Sequence, residues 1–106
     1  MAINILQRGT TPTHSFTLPD ELKDASISSL YVTYKQNDGT VVEKSVDELS
    51  VSDGTVSVDL TQDDTLLFKA NKKASVQIRL KLSSGQAFAS DMIDLEVWDV
   101  LKDGVI

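Results

Sequence analysis

The 106-residue chain contains no cysteine. Disulfides, thiol nucleophiles and cysteine-ligated zinc or iron–sulfur centres are therefore excluded. Histidine occurs once, as His14. A transition-metal site would have to be built mainly from carboxylates, which suit hard cations instead. Aromatic residues are few, with one tryptophan, two tyrosines and three phenylalanines, thin material for a sugar-stacking subsite. Cations are also scarce: ten Lys and Arg face sixteen Asp and Glu, a net charge of −6. Gripping phosphate backbones or an anionic membrane surface needs the opposite balance, so neither nucleic acid nor membrane is an expected partner. No stretch reaches the roughly 18 to 20 apolar residues of a spanning helix. The N-terminus lacks the basic start and apolar run of a secretory signal, so folding in a cytoplasm is expected.

What the chain does have is alternation. In Ala74 to Leu82, Val76, Ile78, Leu80 and Leu82 point one way, and Gln77, Arg79 and Lys81 the other. That period of two marks a strand with one buried face. Val56, Val58 and Leu60 repeat the pattern, and Ile93, Leu95 and Val97 alternate with Asp94, Glu96 and Trp98. Turn residues punctuate these runs at Asn37-Asp38-Gly39, Asp53-Gly54 and Ser83-Ser84-Gly85. Such short connections imply antiparallel neighbours. One or two short helical turns are expected: one capped by Thr61 with Asp63 and Asp64 in its first turn, and Pro19-Asp20-Glu21-Leu22 as the candidate for a second. Leu66, Leu67 and Phe68 would then plug one end of the core.

The expected strands are Asn4–Arg8, Thr13–Leu18, Leu30–Gln36, Thr40–Ser45, Thr55–Leu60, Ala74–Leu82 and Gln86–Val97. About seven strands with regular turns predict an all-β fold. The reading is one domain over residues 1–106, an immunoglobulin-like antiparallel β-sandwich, with a small barrel as its structural rival.

No residue carries an evident chemistry. Thr13 and Ser15 flank His14, but neighbours in a strand face opposite surfaces, so neither is placed for activation; a rim histidine is the simpler reading. The acids at Asp59, Asp63 and Asp64, and at Asp91, Asp94, Glu96, Asp99 and Asp103, show no calcium-loop spacing. No P-loop, dinucleotide fingerprint or G-x-S-x-G elbow is present. The expectation is a non-enzyme with no catalytic residues, no metal and no cofactor.

Three features bear on contacts. Tyr31 and Tyr34 cannot share a sheet surface, so one is core and one exposed. Trp98 falls on the polar face of its strand, where it either anchors a contact or lids the sandwich against Leu101. The tail Val100–Ile106 ends in apolar residues, which suggests docking on its own domain or as an added strand on a neighbour. Trp98, Leu101, Val105 and Ile106, with Ile3 and Ile5 at the other terminus, are the candidate interface.

Three segments carry a resemblance. Arg8-Gly9-Thr10-Thr11-Pro12-Thr13-His14-Ser15-Phe16, Leu60-Thr61-Gln62-Asp63-Asp64-Thr65-Leu66 and Asp99-Val100-Leu101-Lys102-Asp103-Gly104-Val105-Ile106 resemble small proteins encoded in phages and prophages of Gram-positive bacteria. Those proteins tend to come from virion structural modules around head-completion, tail and baseplate genes. The resemblance covers nearly the whole chain and implies a structural part of a tailed phage. Its partners would be other virion proteins or further copies of itself, and its place the virion, after assembly in the host cytoplasm. A carbohydrate-binding host-recognition module and a prophage-encoded regulator acting by protein binding are the alternatives.

Overall fold

The computed structural model describes residues 4–23 and 26–106. Its elements are β1 (Ile5–Gln7), β2 (Thr13–Thr17), α1 (Asp20–Lys23), β3 (Ile27–Gln36) and β4 (Val41–Ser45), then a 3-10 turn (Val46–Glu48). After these come β5 (Leu49–Ser52), β6 (Thr55–Asp59), α2 (Gln62–Leu66), β7 (Lys73–Leu82), β8 (Ala87–Ala89) and β9 (Ile93–Trp98). Asn37-Asp38-Gly39 joins β3 to β4, with Gly39 at φ +97° and the Thr40 amide donating to the Asp38 carboxylate at 2.9 Å. Asp53 and Gly54 both take positive φ, the mirror-image turn that suits a tight hairpin between β5 and β6.

Nine strands form among the described residues, two more than the alternation indicates. Leu49–Ser52 escapes notice because all of its residues are exposed or only half-buried, leaving no inward face to read. The other difference is a break in Gln86–Val97. Leu80 sits opposite Phe88, yet four residues earlier Val76 sits opposite Ile93, five residues later. One extra residue has entered the partner strand, which reverses its parity. The Ser90 hydroxyl accepts from the Ile78 amide at 3.0 Å, and the Ser90 amide donates to the Ile78 carbonyl at 2.9 Å, stitching the break.

The strands make two sheets, β1-β9-β7-β3-β4 and β2-β6-β5, with β8 on β7 beyond β9. Facing sheets with this order are the immunoglobulin-like sandwich: β2, β6 and β5 take the places of strands B, E and D, and β9, β7, β3 and β4 those of G, F, C and C′. The expected all-β sandwich is thus the fold. One pairing departs from the antiparallel expectation: β1 runs parallel to β9, Ile5 opposite Glu96 and Leu6 opposite Val97. Their connection is nearly the whole chain, so no short turn in the sequence reports it.

Leu6, Leu30, Val32, Tyr34, Val56, Val58, Phe68 and Val97 fill the space between the sheets. Tyr34 is fully buried and Tyr31 is exposed, as their parity requires. His14 is the correction here. Instead of standing at a surface rim it is half-buried and faces inward, with Nδ1 2.6 Å from the Tyr34 hydroxyl. Burial raises the Tyr34 pKa, reinforced by the Asp64 charge, and burial lowers that of His14. Both groups are therefore neutral, and the phenol donates to the imidazole across the two sheets. Phe68 meets Tyr34 edge-on at 6.1 Å. Gln36, 1% exposed, donates to the Lys69 and Lys72 carbonyls at 2.9 and 3.3 Å and accepts from the Lys69 amide at 2.8 Å.

Replacing Gln36 by Leu leaves one amide and two carbonyls, all partly buried, without their partner. It should lower stability by about 2 kcal/mol and the melting temperature by roughly 10 °C; an unchanged melt would show that this clamp does not hold residues 69–72. A second expectation concerns pH. The His14 pKa is lowered from 6.5 in the folded state, so its contribution is complete above pH 6.5 and is lost as pH falls through and below that value, before carboxylates titrate near pH ~4. Chemical denaturation of His14→Gln across this window should give a flatter stability profile than the parent; parallel profiles would refute the assignment.

Candidate functional site

One end of the sandwich gathers most of the long-range polar contacts. Three passes of the chain build the contacts there: after β1, at α2, and after β9. At the first pass, Arg8 reaches four acceptors. Its Nε donates to the Phe68 carbonyl at 2.9 Å and Nη2 to the Leu66 carbonyl at 3.3 Å, at the close of α2. Nη1 reaches the Asp99 carboxylate at 2.6 Å, and Nη2 also meets Asp103 at 3.4 Å. The Val100 amide and Arg8 together hold the Asp99 carboxyl below the ordinary carboxylate range. Only Arg, with a planar fork of five donors, serves so many acceptors at once.

At the second pass, α2 spends its polar side chains on the rest of the pole. Thr61 caps the helix by accepting from the Asp64 amide at 3.1 Å, and Asp64 returns the contact to the Thr61 amide at 2.9 Å. Helix capping alone, as the sequence suggests, does not exhaust Asp64. Its carboxylate also pairs at 2.8 Å with Lys44, whose position on β4 matches the inward face beside Val42. Burial pushes the Asp64 carboxyl up, but Lys44 and Thr61 outweigh it and leave the pKa lowered. Thr65, fully buried, donates to the Thr10 carbonyl at 2.9 Å. Phe68 plugs the core as expected, whereas Leu67 is exposed.

The third pass is the tail. Gln62 clasps its end: Oε1 accepts from the Ile106 amide at 2.8 Å and Nε2 donates to the Ile106 carbonyl at 3.3 Å. Gly9 lies beneath, and a Cβ there would stand 3.6 Å from Val100 and 3.7 Å from Leu66. The backbone is thus held while the apolar side chains are turned out. Val105 is 58% exposed, Ile106 87%, and Leu101 wholly so.

The candidate interface residues therefore divide. Leu101, Val105 and Ile106 come together on one tail, and Trp98, 49% exposed, stands at the end of β9 just before it. Trp98 does not form a lid with Leu101, because Leu101 has turned into solvent. Ile5 is half-buried in β1, where its strand pairs with β9. Ile3 lies outside the described residues. Sequence reading missed Arg8 and Gln62 as the anchors, since one Arg and one Gln form no motif until the fold brings the tail to them.

Among the described residues no group of three or more His, Asp or Glu is arranged to hold a metal ion. No helix there is long and apolar enough to cross a membrane. The three exposed aromatics among the described residues are dispersed: Tyr31 lies by Arg79 and Lys81 on the large sheet, Phe88 on β8, and Trp98 by Asn71 and Lys73.

The chain matches no family model and no curated protein sequence. Among solved structures it is similar to the extracellular domains 3–5 of Drosophila OTK, at 20% identity and a TM-score of 0.41. That match covers 96% of this chain and 34% of the other, so the chain spans about a third of its neighbour's length. The immunoglobulin-like assignment stands on the strand order itself.

Arg8→Met leaves the Phe68 and Leu66 carbonyls without their donor and should cost about 1–2 kcal/mol. It should also free the tail, so that trypsin cuts after Lys102 several-fold faster than in the parent. Equal cleavage rates would show that Arg8 does not hold the segment.

Proposed function

We propose that this chain is a non-enzymatic structural module of a tailed phage or prophage, acting in the tail or baseplate through protein–protein contacts. The observation that carries the reading is the convergence at one pole. The three segments that resemble phage virion proteins are distant in sequence, yet Arg8, Gln62 and Asp99 to Ile106 form one contact network. That network gathers the segment at one pole and leaves Leu101, Val105 and Ile106 in solvent. An exposed apolar segment is a docking element, since its burial on a partner gains hydrophobic free energy. The negative net charge keeps free copies soluble in the host cytoplasm and away from nucleic acid before assembly.

The experiment is to purify particles from a host carrying the gene and quantify the chain by mass spectrometry. It should be present at a fixed copy number relative to the tail proteins. Its absence from complete particles would overturn the reading. Binding of the isolated domain to cell-wall polysaccharide below high micromolar concentration would redirect it to host-surface recognition.

A further inference from the structure

Among the described residues the small sheet ends at β2 with an open side. In the four-stranded ABED sheet of immunoglobulin domains, strand A lies along strand B. Here β1 pairs with β9 in the other sheet, and among the described residues β2 pairs with β6 alone. The Leu18 amide donates to the Gly54 carbonyl, and the Leu60 amide to the Pro12 carbonyl. Even-numbered residues therefore exchange hydrogen bonds with β6, and the peptide groups of Thr13, Ser15 and Thr17 face outward.

Beside this edge a groove of about 490 Å³ opens between the sheets. Phe16, Leu18, Ile78 and Leu80 line it, and Phe88 and Ile93, each more than a third exposed, border it. The parity change between β8 and β9 is what turns these two side chains to the opening. Its charged lining residues are both acids, Glu21 and Asp91.

We propose that this groove receives the Val100–Ile106 segment of a second copy, added as a strand along the open edge of β2. This rests on the assembly reading above and names its contact. Three observations select the occupant. The segment carries three large, exposed apolar side chains within seven residues, and the other such stretches among those described, Phe88–Ile93 and Met92–Trp98, contain residues that border the groove itself. Drawn out as a strand, the segment would place Val100, Lys102, Gly104 and Ile106 on one face and Leu101 and Val105 on the other, so that two apolar side chains and a cation would arrive together at an apolar groove with two carboxylates. Finally, the segment is held in its own copy by contacts at exposed Asp103 and Ile106, where water competes, so it can leave.

The geometry makes the contact head to tail. β2 starts with Thr13 opposite Asp59, next to α2 and the tail, and ends with Thr17 opposite Thr55. The groove is lined by the later residues, Ser15 to Leu18, and by α1, at the far end of the strand. Donor and acceptor thus lie at opposite ends of the molecule. Such a heterologous contact builds a ring or an open fibre, not a two-fold dimer.

The test is light scattering of the full chain over a concentration series, with three variants. Ser15→Pro removes an outward N–H that β6 does not use, a position where an edge strand tolerates proline. Phe88→Asp spoils the groove without touching that backbone, should the first variant fail to fold. Ile106→Asp spoils the tail. The parent should gain mass with concentration, and each folded variant should need at least tenfold more protein to do so. Mixing a groove variant with the tail variant should restore one intact contact per pair and stop at a one-to-one dimer. A parent that stays monomeric, association unchanged in the variants, or a mixture that remains monomeric would each overturn the proposal. A monomeric parent still found in particles would sink this contact and leave the assembly reading standing.

Discussion

The fold turns on five residues of helix between β6 and β7. There the chain leaves the small sheet for the large one, and α2 makes that crossing rigid. Thr61 and Asp64 satisfy its first amides, and Arg8 satisfies the Leu66 and Phe68 carbonyls at its close. Every other polar side chain named there reaches a different part of the chain: Asp64 to β4, Thr65 to the loop after β1, Gln62 to the tail. Phe68 follows directly and packs edge-on against Tyr34 at the centre of the core. A helix this short has negligible stability alone. It exists because three separate segments hold it, the loop after β1, β4 and the tail, and those segments keep their places because it is there.

The sequence discloses this fold unevenly, and the reason lies in what alternation records. It records burial, so β6 and β7, each with a buried face, are plain, while β5, with no buried residue, is silent. Parity survives only while the register holds. One added residue between Phe88 and Ile93 makes Gln86–Val97 read as a single strand when it is two. Parallel pairing of β1 with β9 leaves no local mark at all. The candidate contact residues follow the same logic: Leu101, Val105 and Ile106 stand out as apolar residues in a terminal segment. Arg8, Gln62 and the edge of β2 acquire meaning only from their neighbours in space.

The absence of cysteine removes the usual tie between the sheets. Here His14 of β2 and Tyr34 of β3 meet across the core through a hydrogen bond, with Phe68 against the phenol. Such a bond adds roughly 1 kcal/mol at most, less than a disulfide. The balance is made up at one end, by Gln36 on residues 69 and 72 and by Arg8 on α2 and Phe68. Polar clamps at the end of an apolar sandwich fix its register as well as its stability, because each is satisfied in one alignment only.

Edges then decide how such a domain behaves among its copies. A strand edge with free peptide groups invites pairing unless charge, proline, a bulge or a cover blocks it. At β4 the strand itself carries Glu43 and Lys44, and β5 follows directly on Asp47 and Glu48. The exposed residues of β2 are Thr13, Ser15 and Thr17, small and uncharged, and its groove is apolar. A chain with net charge −6 repels its copies at long range. Attraction must therefore be local and matched, and of the strand edges compared here that of β2 is the least defended, with the carboxylates of Glu21 and Asp91 beside it selecting for a cation in whatever strand arrives.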